Sequence, residues 1–150
     1  MNSHKYELQV EDFLCFGLYS TSNAMNKIYI PLLKGLNLTY AQYLVMTVLW
    51  QGDALLVKEI GQRLHLESNT LTPLLKRLEA AGLIERRRSE EDERKVLIWL
   101  TEAGRELQEQ ARCVPEEVMK ATGLEERDIM ELNSKLQTLR QALDRSRQEG

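Results

Sequence analysis

The chain has 150 residues, 43% hydrophobic and 29% charged, with a formal net charge of −3, the balance of a folded globular protein rather than a disordered one. No run approaches the ~18 uninterrupted apolar residues of a membrane span, and the polar first ten residues lack the apolar core of a secretory signal. A cytoplasmic protein is expected, with one domain over residues 1–150.

Over residues 7–33, Phe13, Phe16, Leu18 and Ile28 predict a mostly buried N-terminal helix, with Pro31 loosening its last turn and Gly35 helping to stop it. Thr39-Tyr40-Ala41-Gln42 has the T-x-x-Q form of a capping box. It opens a helix that is apolar nearly all round and therefore central, ending at Gly52-Asp53. A short helix is expected over residues 57–64, with Ile60 and Leu64 inward, and then a turn at His65-Leu66-Glu67. Ser68 is the expected N-cap of a further helix ending at Ala80 or Ala81, with Gly82 as its C-terminal glycine. Two short helices joined by a tight turn make a helix-turn-helix. Residues 83–88 and 95–100 read as strands around a charged tip, a β-hairpin wing. Thr101 is the expected cap of the next helix, and Pro115 and Thr122-Gly123 break the chain beyond it. Ile129, Leu132, Leu136, Leu139 and Leu143 form the stripe of a last amphipathic helix over about 125–145.

The expected fold class is therefore mainly α with a small β-hairpin wing, a winged helix-turn-helix over about 40–101. The flanking helices, about 1–36 and 102–150, carry more apolar surface than that unit can cover, which predicts a homodimer with interlocked termini.

A net charge of −3 suits a nucleic-acid binder only if cations are concentrated locally. Between residues 76 and 95, Lys76, Arg77, Arg86, Arg87, Arg88, Arg94 and Lys95 are nearly cancelled by acids, so position has to decide. Leu71, Leu74, Leu75 and Leu78 form the core stripe of the helix that starts at Ser68. Its opposite face holds Asn69, Thr70, Thr72, Pro73, Lys76 and Arg77. Short hydroxyl and amide side chains there suit base edges and phosphates in a major groove, and the two cations suit backbone or guanine. Alone, such a face is better read as a solvated one; the adjoining wing reverses this in favour of double-stranded DNA, a pseudo-palindromic operator for a dimer. In the wing, Arg86, Arg88 and Lys95 add charge, and Arg94 at the tip suits a minor groove. Asp92 is placed to hold the Arg94 guanidinium, or the two form a plain surface ion pair.

Cys15 and Cys113 are too far apart in sequence for a zinc site, and a reducing compartment argues against a disulfide framework. On the residues alone, Cys15 among Phe13, Leu14 and Phe16 reads as an inert core thiol. His4 and His65 form no evident pair, and no cofactor, metal or catalytic group is expected.

The run from Leu71 through Glu79, then Gly82-Leu83-Ile84 and Asp92-Glu93-Arg94, resembles the multiple-antibiotic-resistance-regulator (MarR) family. Leu14-Cys15-Phe16, Leu18-Tyr19-Ser20, Tyr29, Pro31-Leu32-Leu33 and the run from Leu38 to Tyr43 resemble its organic hydroperoxide-sensing repressors. The resemblance implies that Cys15 is the peroxide-reactive thiol. It also implies that Tyr29 and Tyr40 reach that thiol from the partner subunit, with Tyr19 lining the same pocket. An organic hydroperoxide would be the inducer, and the sulfenic acid would be trapped by a low-molecular-weight thiol or by a second cysteine. Cys113 falls a few residues before the position expected of a resolving cysteine, which favours a bystander. Two rivals stand beside this: a sister regulator binding a phenolic ligand without redox chemistry, and a thiol peroxidase. The second lacks a C-x-x-C and any Arg or His near Cys15.

Overall fold

The computed structural model describes residues 8–150, so His4 and the expected helix start at Glu7 lie outside the described residues. The chain divides into two compact units, one ending at Val114 and the other Pro115–Gly150.

The first unit opens with a 3-10 turn, Val10–Asp12, and α1, Leu14–Lys34. Pro31 is accommodated inside α1, and the left-handed residue beyond its end is Asn37 (φ 57) rather than Gly35, whose φ is −65. Asn37 tolerates that conformation because of its short polar side chain, and Leu38 N–H then returns to Leu33 O at 3.3 Å. The expectation of a mostly buried first helix is corrected: Phe13, Leu14, Leu18, Met25, Ile28 and Ile30 are exposed and only Leu33 is buried. Within one chain α1 packs chiefly on α2, Tyr40–Gln51, near its own end.

The capping box forms as expected: Gln42 N–H donates to Thr39 Oγ1 at 3.2 Å, and Thr39 N–H donates to Gln42 Oε1 at 2.9 Å. α2 is the centre of the unit, with Tyr43, Val45, Met46, Val48 and Leu49 buried. After it come β1 (Leu55–Leu56), α3 (Val57–Leu64) and α4 (Ser68–Ala80). The α3–α4 turn passes through His65 in the left-handed region (φ 55), and Leu66 N–H donates to Gly61 O at 2.9 Å. Ser68 is the first residue of α4, not its cap. Glu67 takes the cap position because its carbonyl accepts from Thr70 and Leu71 N–H, each at 3.0 Å. Ile60, Leu71, Leu75 and Leu78 have no exposed surface, so the helix-turn-helix is locked by one apolar seam.

Gly82 (φ 76) ends α4 and leads into β2, Ile84–Arg88, which pairs antiparallel with β3, Val96–Leu100. The two-residue β1 adds a third strand on the other edge of β3, giving the order β1-β3-β2. Thr101 caps α5, Glu102–Gln110, through Gly104 N–H at 3.1 Å.

In the second unit, Pro115 lies in the first turn of α6 (Val114–Thr122), where a missing N–H is harmless, so it opens that helix rather than breaking it. Gly123 (φ 67) separates it from α7, Glu126–Gln148. α7 carries the expected stripe, with Leu132, Leu136 and Leu143 exposed. Among the described residues no helix is long and apolar enough to cross a membrane.

A Cβ at Gly61 would lie 2.7 Å from Leu66 O, and one at Gly104 would lie 2.1 Å from Leu83 O. Gly35 has open space around it. Urea unfolding at fixed protein concentration should show Gly61→Ala and Gly104→Ala each losing about 1–3 kcal/mol or more, with Gly35→Ala neutral to slightly stabilising. Equal effects at all three positions would contradict the close approaches.

Candidate functional site

The seam that buries Leu71, Leu75 and Leu78 fixes which face of α4 looks outward. Ser68, Asn69, Thr70, Pro73, Lys76 and Arg77 are exposed on it and Thr72 is half-buried. Thr72 Oγ1 donates to Ser68 O at 2.7 Å, which withdraws its hydroxyl proton from outside partners. Pro73 leaves Asn69 O without the usual helical donor on this outward surface.

The wing sorts its cations by sheet face. Arg86 pairs with Ile98 in register, so it lies on the core side. Its guanidinium is half-buried, 3.8 Å from Glu79 of α4, with Nε and Nη2 lacking hydrogen-bond partners. Arg86 therefore braces the wing against α4 rather than reaching outward. Arg87, on the other face, stacks on Trp99 at 5.1 Å and pairs with Glu85. Arg88, Arg94 and Lys95 are exposed. At the tip, Asp92 Oδ1 accepts from the Arg94 backbone N–H at 3.1 Å, so the expected grip on the guanidinium is replaced by a grip on the main chain. Ser89 Oγ accepts from Glu91 and Asp92 N–H at 3.2 and 3.4 Å, completing a tied turn that points Arg94 into solvent.

The second cluster lies where α1 meets α2. Tyr29 and Tyr40 have ring centroids 4.6 Å apart, and Tyr43 lies 6.0 Å from Tyr29. Burial, reinforced by Tyr40 and Tyr43, pushes Tyr29 up to about 12. Burial raises Tyr40 as well. Tyr43 is raised by burial, against a lowering hydrogen bond with Thr47, with Tyr40 and Cys113 adding to the rise. These phenols keep their protons well above neutral pH. Cys15 and Cys113 are both exposed, so neither is the core filler that composition favours. Cys15 and Tyr19, one helical turn apart on α1, share a face. Tyr29 lies about 21 Å further along the same helix, beyond reach of Cys15 within one chain. Next to the tyrosines is an open groove of about 590 Å³ lined by Asn26, Ile30, Leu33, Lys34, Leu38 and Tyr40 among others. Among the described residues no group of His, Cys, Asp and Glu is placed to hold a metal.

Comparison with known proteins bears on both clusters. The family model described as "Transcriptional regulator SarA/Rot" matches residues 27–111, which span the tyrosines, the helix-turn-helix and the wing. The organic hydroperoxide resistance transcriptional regulator of Bacillus subtilis (strain 168) is 48% identical over 136 residues, 91% of this chain and 92% of that protein. Apo MarR from E. coli shares the fold, with a TM-score of 0.68 at 23% identity over 85% of this chain and 96% of the other. The chain belongs to the MarR family of winged-helix transcriptional regulators. The matching family and relatives are regulators, not enzymes, which removes the peroxidase alternative. Among MarR-type structures, reduced AbfR bound to DNA matches with a TM-score of 0.73 at 35% identity, over 87% of this chain and 90% of that one. Disulfide-formed AbfR matches with a TM-score of 0.63 at 37% identity, over 84% and 88%.

Four features of this MarR-family chain escape a sequence reading. The strand β1 is too short for an alternation signal, and Arg87–Trp99 depends on sheet register. Asp53 and Trp50, which fasten α2 to α5 and the wing, act through contacts remote in sequence.

Because Tyr29 titrates near 12 when folded and near 10 when unfolded, its contribution to stability is complete below pH 10 and is lost between pH 10 and 12. Ultraviolet titration of phenolate should therefore lose its highest step in Tyr29→Phe, and the variant's stability should fall less steeply over that interval. An unchanged high-pH step would show that Tyr29 is not the raised phenol.

Proposed function

We propose that the chain is a homodimeric repressor that binds operator DNA through α4 and the wing and releases it when an organic hydroperoxide oxidises Cys15. The observation that carries this is the separation along α1 of an exposed thiol, Cys15, from Tyr29, whose ring packs on Tyr40 of α2. Two copies with their α1 helices antiparallel would bring Cys15 of one to Tyr29 of the partner subunit and Tyr40 of the partner subunit. The exposed apolar residues of α1 and α7 supply a surface for such pairing. Phenolic O–H donors would stabilise the thiolate, and the apolar surroundings, Leu14 and Leu18, favour an alkyl or aryl peroxide over hydrogen peroxide.

The chemistry balances without a cofactor. The Cys15 thiolate attacks one peroxide oxygen; an S–O bond forms as the O–O bond breaks, and the departing alkoxide takes a proton to become an alcohol. Sulfur is oxidised to sulfenic acid and the peroxide is reduced. A low-molecular-weight thiol then condenses with the sulfenic acid, giving a mixed disulfide and water, while Cys113 stands by. Either product adds bulk beside the tyrosines and disturbs the spacing of the two α4 helices, which must match successive turns of DNA about 34–36 Å apart. The 48% identity to a hydroperoxide resistance regulator supports the inducer class, and the DNA-bound form of AbfR supports the target.

On the DNA side, Asn69, Thr70, Lys76 and Arg77 of α4 would meet the major groove, and Arg94 a minor groove, with Arg88 and Lys95 on phosphates. A second reading, a phenolic ligand without redox chemistry, is favoured by the groove beside Tyr40, whose Lys34 could meet an acidic group.

Binding to the protein's own promoter DNA, with and without one equivalent of cumene hydroperoxide, separates these readings. Wild type should lose affinity and Cys15→Ser should not; release that persists in Cys15→Ser would favour the ligand reading. Loss of the response in Cys113→Ser, with DNA affinity intact, would make Cys113 the trap. In the reduced protein, Lys76→Ala should weaken binding to all sequences and lower the salt slope by about 1, whereas Arg94→Ala should cost about 1–3 kcal/mol with relaxed sequence preference.

A further inference from the structure

We propose that Trp50 is a positioning residue that carries displacement of the tyrosine cluster to the wing, a role that rests on the hydroperoxide-sensing reading above. α2 is a 12-residue rod about 18 Å long, and its two ends are fastened to different things. At the N-terminal end Tyr40 and Tyr43 pack on Tyr29 of α1. The Tyr43 ring meets the Trp50 ring edge-on at 6.2 Å. At the C-terminal end Trp50 Nε1–H donates to Gly104 O, in the first turn of α5, at 2.8 Å. Two residues beyond α2, Asp53 Oδ2 accepts from Leu100 N–H at the end of β3 at 3.0 Å and from Arg105 of α5 at 3.2 Å.

The next contact has no slack. Gly104 sits so near Leu83 O, at the root of β2, that a Cβ would be 2.1 Å from it. Thr101, the α5 cap, also holds this root: its N–H donates to Leu83 O at 3.1 Å and its hydroxyl to Gly82 O at 2.6 Å. A shift of α2 therefore pulls on Gly104 through a directional bond, and Gly104 cannot move toward the sheet without moving Leu83 and the wing. The chain of contacts runs from Tyr29 through Tyr43, Trp50 and Gly104 to Leu83 without leaving the first compact unit.

Trp50→Phe keeps an aromatic ring beside Tyr43 and deletes the bond to Gly104. Operator affinity is measured on the full chain with and without cumene hydroperoxide, for wild type, Trp50→Phe and Cys15→Ser, with mass spectrometry reporting oxidation of Cys15. Wild type should lose about tenfold or more on oxidation; Trp50→Phe should bind like wild type when reduced, oxidise to the same extent, and lose less than about threefold. Loss in Trp50→Phe equal to that of wild type overturns the role of Trp50 and leaves the sensor intact. A wild type that holds its affinity while oxidised overturns both. Should reduced Trp50→Phe bind poorly, the Trp99→Phe protein, in which Trp50 is the only tryptophan, decides: its emission should shift on oxidation, and unchanged emission overturns the proposal.

Discussion

Burial of α2 is the constraint on which the first unit depends. Val45 and Met46 have no exposed surface and Leu49 almost none, because α1, α3, α4, α5 and β3 all pack on this one helix. Each fully buried aliphatic side chain contributes about 1.5–3 kcal/mol, so the elements around α2 are held to it more strongly than any surface ion pair holds them to one another. The same burial makes α2 a stiff body. Side chains in a close-packed interior have no room to absorb displacement, so motion at one end is passed on.

Around that helix the charged residues are distributed by geometry rather than by number. The net charge is −3, yet the exposed cations of α4 and the wing, Lys76, Arg77, Arg88, Arg94 and Lys95, lie on the surfaces that the winged-helix arrangement turns outward. Arg86 is held back beside Glu79, whereas Arg87 stays exposed with its guanidinium over Trp99. Screening over about 8–10 Å lets a local cationic surface act on DNA despite acidic residues elsewhere. The acidic wing tip has a structural use as well, since Asp92 ties the Arg94 backbone.

The thiol and the phenols obey a related logic. Cys15 is exposed on α1, and burial raises Tyr29, Tyr40 and Tyr43, so these phenols keep their protons well above neutral pH. Within one chain Cys15 and Tyr29 stand about 21 Å apart along α1, and Tyr40 and Tyr43 pack on Tyr29 from α2. In the proposed dimer, pairing of two chains would join them. The apolar surface left open on α1 and on α7 gives the same indication through a different force.

The sequence by itself determined the element types and most of their limits. The Thr39–Gln42 box, Gly82, the Thr101 cap and the leucine period of α4 are local signals whose physics operates within one or two turns. For the same reason the outward face of α4 was legible: three buried leucines define its opposite. Family membership was legible too, because the motif runs are contiguous. Only the tertiary structure decided the rest. That Arg86 turns inward and that β1 exists depend on sheet register, which no single strand encodes. The exposure of α1 could not be read from its apolar residues, since apolar periodicity states that a face will be covered but not by which chain. Trp50 reaching Gly104, and Asp53 reaching Leu100, join residues about fifty positions apart. Such contacts arise from packing all the elements at once, and a period of 3.6 or 2 carries no information about them.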